Sequence, residues 1–248
     1  MTDTMPGTAA RPVTVDGRRR LALPSPLADA AGITPGRAVV LAGDRPGEVR
    51  VVTPAAALAR LRADIAAALP DVDRPLSTAV AAEPGRAPAW APTGTSVLPE
   101  EGQLVTDAAP LAALLDGDPD ADAVADLLPR LVVTESAVAV LFGAALRAGL
   151  TVAGTPGRLD GYQPIMDTLE ALGLTVADHR HEWTAVHILD YAMQRAGVAG
   201  VGERSALVLA THLGVPALLG RPAGELPGEV TATVVDYRDL TVVAEPTN

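Results

Sequence analysis

Leu104-Val105-Thr106-Asp107-Ala108-Ala109-Pro110-Leu111-Ala112-Ala113-Leu114-Leu115 is the stretch that decides the fold of most of this chain. Three residues suited to a strand end on an aspartate, and a run rich in leucine and alanine follows at once. That order predicts a strand near 104–106 leading directly into a helix over 108–115. The alternation continues with a helix over 120–128, a strand at 131–133 and a helix over 135–148. Beyond a Gly/Pro break come a helix over 160–172, a strand at 174–176, helices over 183–196 and 203–213, a strand at 216–219 and a last strand near 230–235. Short apolar strands separated by helices predict an α/β domain on a parallel sheet, because parallel neighbours need a crossover connection.

Working back towards the amino end, residues 69–102 contain six prolines and no sustained period. They read as a Pro-rich linker. Residues 54–68 are rich in alanine and leucine, carry Arg60 and Arg62, and read as a helix. Residues 11–53 read differently again. Val13 and Val15, then Leu21 and Leu23, alternate with polar neighbours around an Asp16-Gly17 turn, which predicts a hairpin. Ser25 is placed to cap a short helix reaching about Ala31, with Pro26 in its first turn. After Gly32-Ile33-Thr34-Pro35-Gly36 a second hairpin is expected, from 38–42 and 48–52. Residues 1–10 read as a tail.

Composition narrows the function classes. The 248 residues are 48% hydrophobic, enough for real cores, yet only one Phe, two Trp and three Tyr are present. Stacking platforms for single-stranded nucleic acid are therefore not expected. Without cysteine there is no disulfide, thiolate metal site or thiol nucleophile. The start lacks the pattern of a secretory signal, and the longest apolar run, Ala137 to Leu146, is too short to span a bilayer. A cytoplasmic protein with no membrane partner is expected. Every basic residue is arginine, which a high-GC genome explains, but the charge is uneven. Residues 1–53 carry +2 from seven arginines and five acids; the remainder carries −13 from twelve and twenty-five, making the −11 of the whole. A mildly basic head on an acidic body points to two jobs.

The head resembles the swapped-hairpin domain of AbrB/MazE/SpoVT-type regulators. The likeness covers residues 11–53 and rests on strand, turn, arginines, Leu23-Pro24, a short helix and Gly32-Ile33-Thr34-Pro35-Gly36. It implies an intertwined homodimer, since one copy has little apolar area to bury. It also implies a double-stranded DNA face where Arg18, Arg19 and Arg20 approach phosphates and guanine edges, with Arg11 and Arg37 adding backbone contacts. The family pattern usually has glycine where Arg19 stands, so the turn departs from it here. The bland reading of the same arginines is a solubilising surface on a dimerisation module.

The body, 103–238, resembles the PIN domain, the fold of VapC-type toxin ribonucleases. Leu104 to Leu115 matches that family's first strand and helix. Gly202-Glu203-Arg204 matches its Gly-Asp-Arg helix start, and Leu213-Gly214-Val215-Pro216-Ala217-Leu218-Leu219 the strand that follows. Such nucleases gather three or four carboxylates at the carboxyl ends of the strands to hold Mg²⁺ or Mn²⁺, which activate water at a phosphate. The likeness puts Asp107 at the first carboxylate and Glu203 at the third. Val140 stands at the second and Arg221 at the fourth, so one ligand is replaced by an apolar side chain and one by a cation. It thus implies a vestigial site in which Arg221 pairs with Asp107 and Glu203. Glu135 lies elsewhere on its helix and is a poor substitute for Val140.

Two other clusters invite metal readings. His179, His181 and His187, with Glu182 and Asp190, match no recognisable ligand spacing and are more simply capping or packing groups. Asp116, Asp118, Asp120, Asp122 and Asp126 surround Gly117 without the order of a calcium loop, and acids favoured at a helix start explain them. No phosphate-binding glycine loop occurs, and Gly94-Thr95-Ser96 lies in the linker rather than on a serine elbow. The expectation is therefore a transcriptional regulator with an inactive PIN-like domain used for oligomerisation or protein contact, as if the two halves of a toxin–antitoxin pair had been fused. The alternatives are a Mg²⁺- or Mn²⁺-dependent endoribonuclease and a scaffold without nucleic acid or metal.

Overall fold

The structure, a computed structural model, describes residues 23–34, 38–42, 49–69, 75–82, 98–150, 163–177, 190–191, 194, 200–220, 226 and 228–240. The chain divides between Ala56 and Ala57 into a small amino-terminal unit and a larger one.

In the small unit, α1 spans Ser25–Ala30. Ser25 is the first helical residue and not the cap expected for it; Pro24 holds that position and makes no side-chain cap. The helix stops where Gly32 turns to φ 65°, a conformation that costs glycine nothing. Strands β1 (Val39–Ala42) and β2 (Val49–Val52) form the expected second hairpin, antiparallel with Val40 opposite Val51. Alternation sets their faces: Val39 is buried, whereas Val40 is 62% exposed and Val49 65%. Residues 13–22 of the first expected hairpin, which include Arg18, Arg19 and Arg20, lie outside the described residues, as do Arg11 and Arg37.

The larger unit is α/β. Its strands are β3 (Leu104–Thr106), β4 (Leu131–Thr134), β5 (Thr175–Ala177), β6 (Ala217–Leu219) and β7 (Val234–Asp236). They form one sheet in the order β5-β4-β3-β6-β7 with every neighbouring pair parallel. β3, β4 and β6 are buried along their whole length, so they read as apolar runs without alternation. The last strand begins at Val234, four residues after the expected start, and so ends on Asp236 instead of before it.

Helices cover this sheet. α2 (Pro54–Ala68) and α3 (Leu76–Ala81) precede it. α4 (Ala108–Asp116), α5 (Asp122–Leu127), α6 (Glu135–Arg147), α7 (Gln163–Ala171) and α8 (Val201–Leu213) are interleaved with it. The expected helix over 120–128 is broken into a 3₁₀ turn at Pro119–Ala121, α5, and another at Leu128–Arg130, where Pro129 cannot continue the ladder. α8 packs across β3, β4 and β6, and Ala206, Leu207 and Ala210 seat on Val105, Val132, Ala217 and Leu219. Gly173 at φ 108° closes the turn into β5, where a Cβ would come within 2.8 Å of the Pro129 Cα.

Among the described residues of the stretch expected as a linker over 69–102, Leu76–Ala81 form a packed helix instead. This helix, α3, packs on α4 and α6 with Leu76 and Val80 fully buried. Asp116 at the end of α4 accepts from the amides of Leu76 at 2.8 Å and Ser77 at 2.7 Å. α2 joins the same layer: its Arg62 donates to the Leu114 carbonyl at 2.7 Å and pairs with Asp122 at 3.3 Å. The physical reason lies in α4, buried at Ala108 and from Pro110 to Leu115 and so needing cover on its outer side as well as on the sheet.

Candidate functional site

Parallel open sheets bind ligands beyond the carboxyl ends of their strands, where the strand order reverses. Here that point falls between β3 and β6, whose neighbours then run outward in opposite directions. Thr106 lies opposite Val133 on one side and Leu218 on the other. One step further along, Asp107 therefore sits between Thr134 and Leu219, and Leu219 is opposite Asp236. The carboxyl edge reads Thr134, Asp107, Leu219, Asp236 across four strands. α8 crosses the same strands and carries Glu203 in its first turn.

Each polar group on this edge has structural work. Asp107 is 1% exposed; its Oδ1 accepts from the Ala109 amide at 3.1 Å and so caps α4. Its carbonyl accepts from the Thr106 hydroxyl at 3.2 Å. Thr134 caps α6 by accepting from the Ala137 amide at 3.1 Å. Ser205 donates to the Gly202 carbonyl at 2.8 Å, which spends its only proton. The 2.6 Å contact between Thr134 and Ser205 is then a Thr134 hydroxyl donating to Ser205 Oγ. This relay ties β4 to α8 beside Glu203, which is 5% exposed and lies where a helix amino end favours a negative charge.

At the outer end of the edge, Asp236 is held by Arg238. Nε donates to Oδ1 at 2.9 Å, Nη2 to Oδ2 at 2.5 Å, and the Arg238 amide to Oδ1 at 3.0 Å. Nη2 also reaches the Gly220 carbonyl at 3.3 Å, linking the ends of β6 and β7. The hydrogen bonds that Arg238 donates to Asp236 raise its pKa. Burial, and after it the Asp118 carboxylate, pushes the neighbouring Tyr237 phenol up.

Among the expected site residues, Asp107 and Glu203 are both buried at this edge. Val140 is there too: a Cβ on Gly202 would meet Val140 Cγ2 at 3.3 Å and Ala137 Cα at 3.3 Å. An apolar side chain thus presses on the residue next to Glu203. Glu135 is exposed at the start of α6. Arg221, His179, His181 and His187 lie outside the described residues. The aspartates around Gly117 have separate tasks. Asp116 caps α3, Asp118 accepts from the Asp120 amide at 3.0 Å, and Asp122 pairs with Arg62. Asp236, Arg238 and the Thr134–Ser205 relay were not picked out from the sequence. An aspartate closing a strand was the available signal for the first.

A resident pair of Mg²⁺ or Mn²⁺ ions needs a set of oxygens converging from several carboxylates. The described edge offers Asp107, with one oxygen engaged as a cap, and Glu203, while Asp236 is occupied by Arg238. Among the described residues no three acidic or histidine side chains come together as a metal group. Among the described residues no helix is long and apolar enough to cross a membrane. Compared with known proteins, the chain matches no family model, no curated protein and no solved structure.

Proposed function

We propose that this chain is a cytoplasmic, homodimeric transcriptional regulator. Its head is an AbrB/MazE/SpoVT-type swapped-hairpin unit gripping double-stranded DNA. Its body is a PIN-like α/β unit that no longer cleaves nucleic acid and serves oligomerisation or contact with another protein. Val140 carries the reading. It stands where the PIN likeness puts a second carboxylate, and it is packed on Gly202 beside Glu203. Among the described residues, Asp107 and Glu203 are the acids beside the reversal of strand order. In the head, the apolar faces of Val40 and Val49 are open in one copy, which favours cover by a second.

The test is a gel shift on double-stranded DNA from the gene's own promoter at stepped salt. Affinity should fall steeply with salt, and replacing Arg18, Arg19 and Arg20 by alanine should flatten the slope by about 1 per lost phosphate contact. Unchanged retention by the triple variant would remove the DNA assignment. The placing of two buried carboxylates, Asp107 and Glu203, at one carboxyl edge favours a second reading, a Mg²⁺- or Mn²⁺-dependent endoribonuclease, because that chemistry draws its metal oxygens from carboxylates gathered there. RNA cleavage that requires the metal and disappears in Asp107→Asn would establish it instead.

A further inference from the structure

The surface formed by α4 and α6 has the features of a socket for a short helix. Its present occupant is α3, six residues of sequence LSTAVA. A helix that short does not persist alone, and Ser, Thr and Val are indifferent helix formers, so its shape comes from the socket. Leu76 and Val80, one turn apart, are both fully buried, while Thr78 and Ala81 face solvent. Pro75 at the cap position makes no side-chain cap. Asp116 takes over that task, with one carboxylate oxygen on the Leu76 amide and the other on the Ser77 amide.

The opposite end is served as well. Arg147, in the last turn of α6, donates through Nη2 to the Ala79 carbonyl at 3.1 Å. Its guanidinium lies back along α6 over Gly143, where a Cβ would meet Nη1 at 3.2 Å. Glycine inside a helix is normally a loss of stability, and here it leaves room for that arginine. The socket therefore has an apolar floor, an anion at one end and a cation at the other. That polarity matches the dipole of a helix lying with its amino end at Asp116 and selects one direction of binding.

We propose that the α4–α6 surface is a helix-docking groove whose occupant is the chain's own Leu76–Ala81 segment, held as a releasable latch and not as part of the cooperative core. Leu76, Val80 and the bonds from Asp116 and Arg147 tie α3 to α4 and α6 and not to the strands, so α3 can leave while the sheet stays paired. Strands buried on both faces occupy the high end of local stability. The inference stands on the geometry of α3, α4 and α6 and does not rest on the proposed function.

Hydrogen–deuterium exchange on the full chain tests it. In the wild type the amides of residues 77–82 should open at least 10-fold more often than those of β3 and β4. Asp116→Asn should release them selectively, leaving β3 and β4 unchanged. In Leu76→Asp, a synthetic peptide of residues 74–84 added in trans should restore protection on α4 and α6, and the same peptide carrying the Leu76→Asp change should not. Latch amides that exchange together with β3 and β4, a sheet that loses protection in Asp116→Asn, or no response to the wild-type peptide would each overturn the proposal.

Discussion

The two pairs of valine-rich strands in this protein live in opposite surroundings. β3 and β4 are covered on both faces, and Leu104, Val105, Leu131 and Val133 are at 0% exposure. β1 and β2 have comparable residues, yet Val40 and Val49 keep most of their surface open. Apolar strands alone do not tell a finished core from a face awaiting a partner; the neighbouring elements do. In the larger unit α4 and α8 are recruited by the apolar edges of the strands they follow or cross. In the small unit the described chain has one six-residue helix to offer.

Substitutions in the finished core should have the largest effect. Leu111→Ala, at a fully buried position of α4, should cost about 2–5 kcal/mol by chemical denaturation, since the layer above α4 cannot collapse into the space. Next comes the carboxyl edge. Thr134→Ala removes the cap of α6 and the bond to Ser205 together and should cost about 1–2 kcal/mol in the same measurement. If Thr134→Ala cost as much as Leu111→Ala, the edge would belong to the core instead of being polar trim upon it.

The open face predicts the reverse. Val40→Asp combined with Val49→Asp should change the unfolding of the larger unit by less than about 0.5 kcal/mol, as surface changes do. Sedimentation should nonetheless show the proposed dimer falling to monomer. A dimer that survives both charges would put the contact elsewhere.

The smallest effect concerns pH. Burial, chiefly, and Asp118 raise the Tyr237 pKa in the folded state above the ordinary 10.0. The folded protein then holds this proton more tightly than the unfolded chain. That contribution is fully present below pH 10 and is lost as pH rises through the folded value. Tyr237→Phe should make the fall in stability above pH 10 shallower; an unchanged slope would assign the fall to other groups.

Legibility in the sequence followed local pattern. The strand-to-helix step at Asp107 was readable because an aspartate between an apolar strand and a leucine run is both the end of one element and the cap of the next. The parallel sheet was readable from the repetition of that step. Helix α3 was not, because LSTAVA has neither the length nor the propensity of a helix and is held by Asp116 and Arg147 from distant segments. Its signal was indirect: α4 is apolar on every face, and something had to cover the outer one. Asp236 follows an expected strand as Asp107 does, but no leucine-rich helix comes after it to mark it as a cap. The Thr134–Ser205 relay spans 71 positions, which no local spacing encodes.

Calorimetric titration of Mn²⁺ into the full chain tests the proposed absence of a metal site at the carboxyl edge most directly. The wild type should give no saturable heat, and Val140→Asp, which puts a carboxylate beside Glu203, should gain it. Saturable Mn²⁺ binding by the wild type that vanishes in Asp107→Asn would contradict the account.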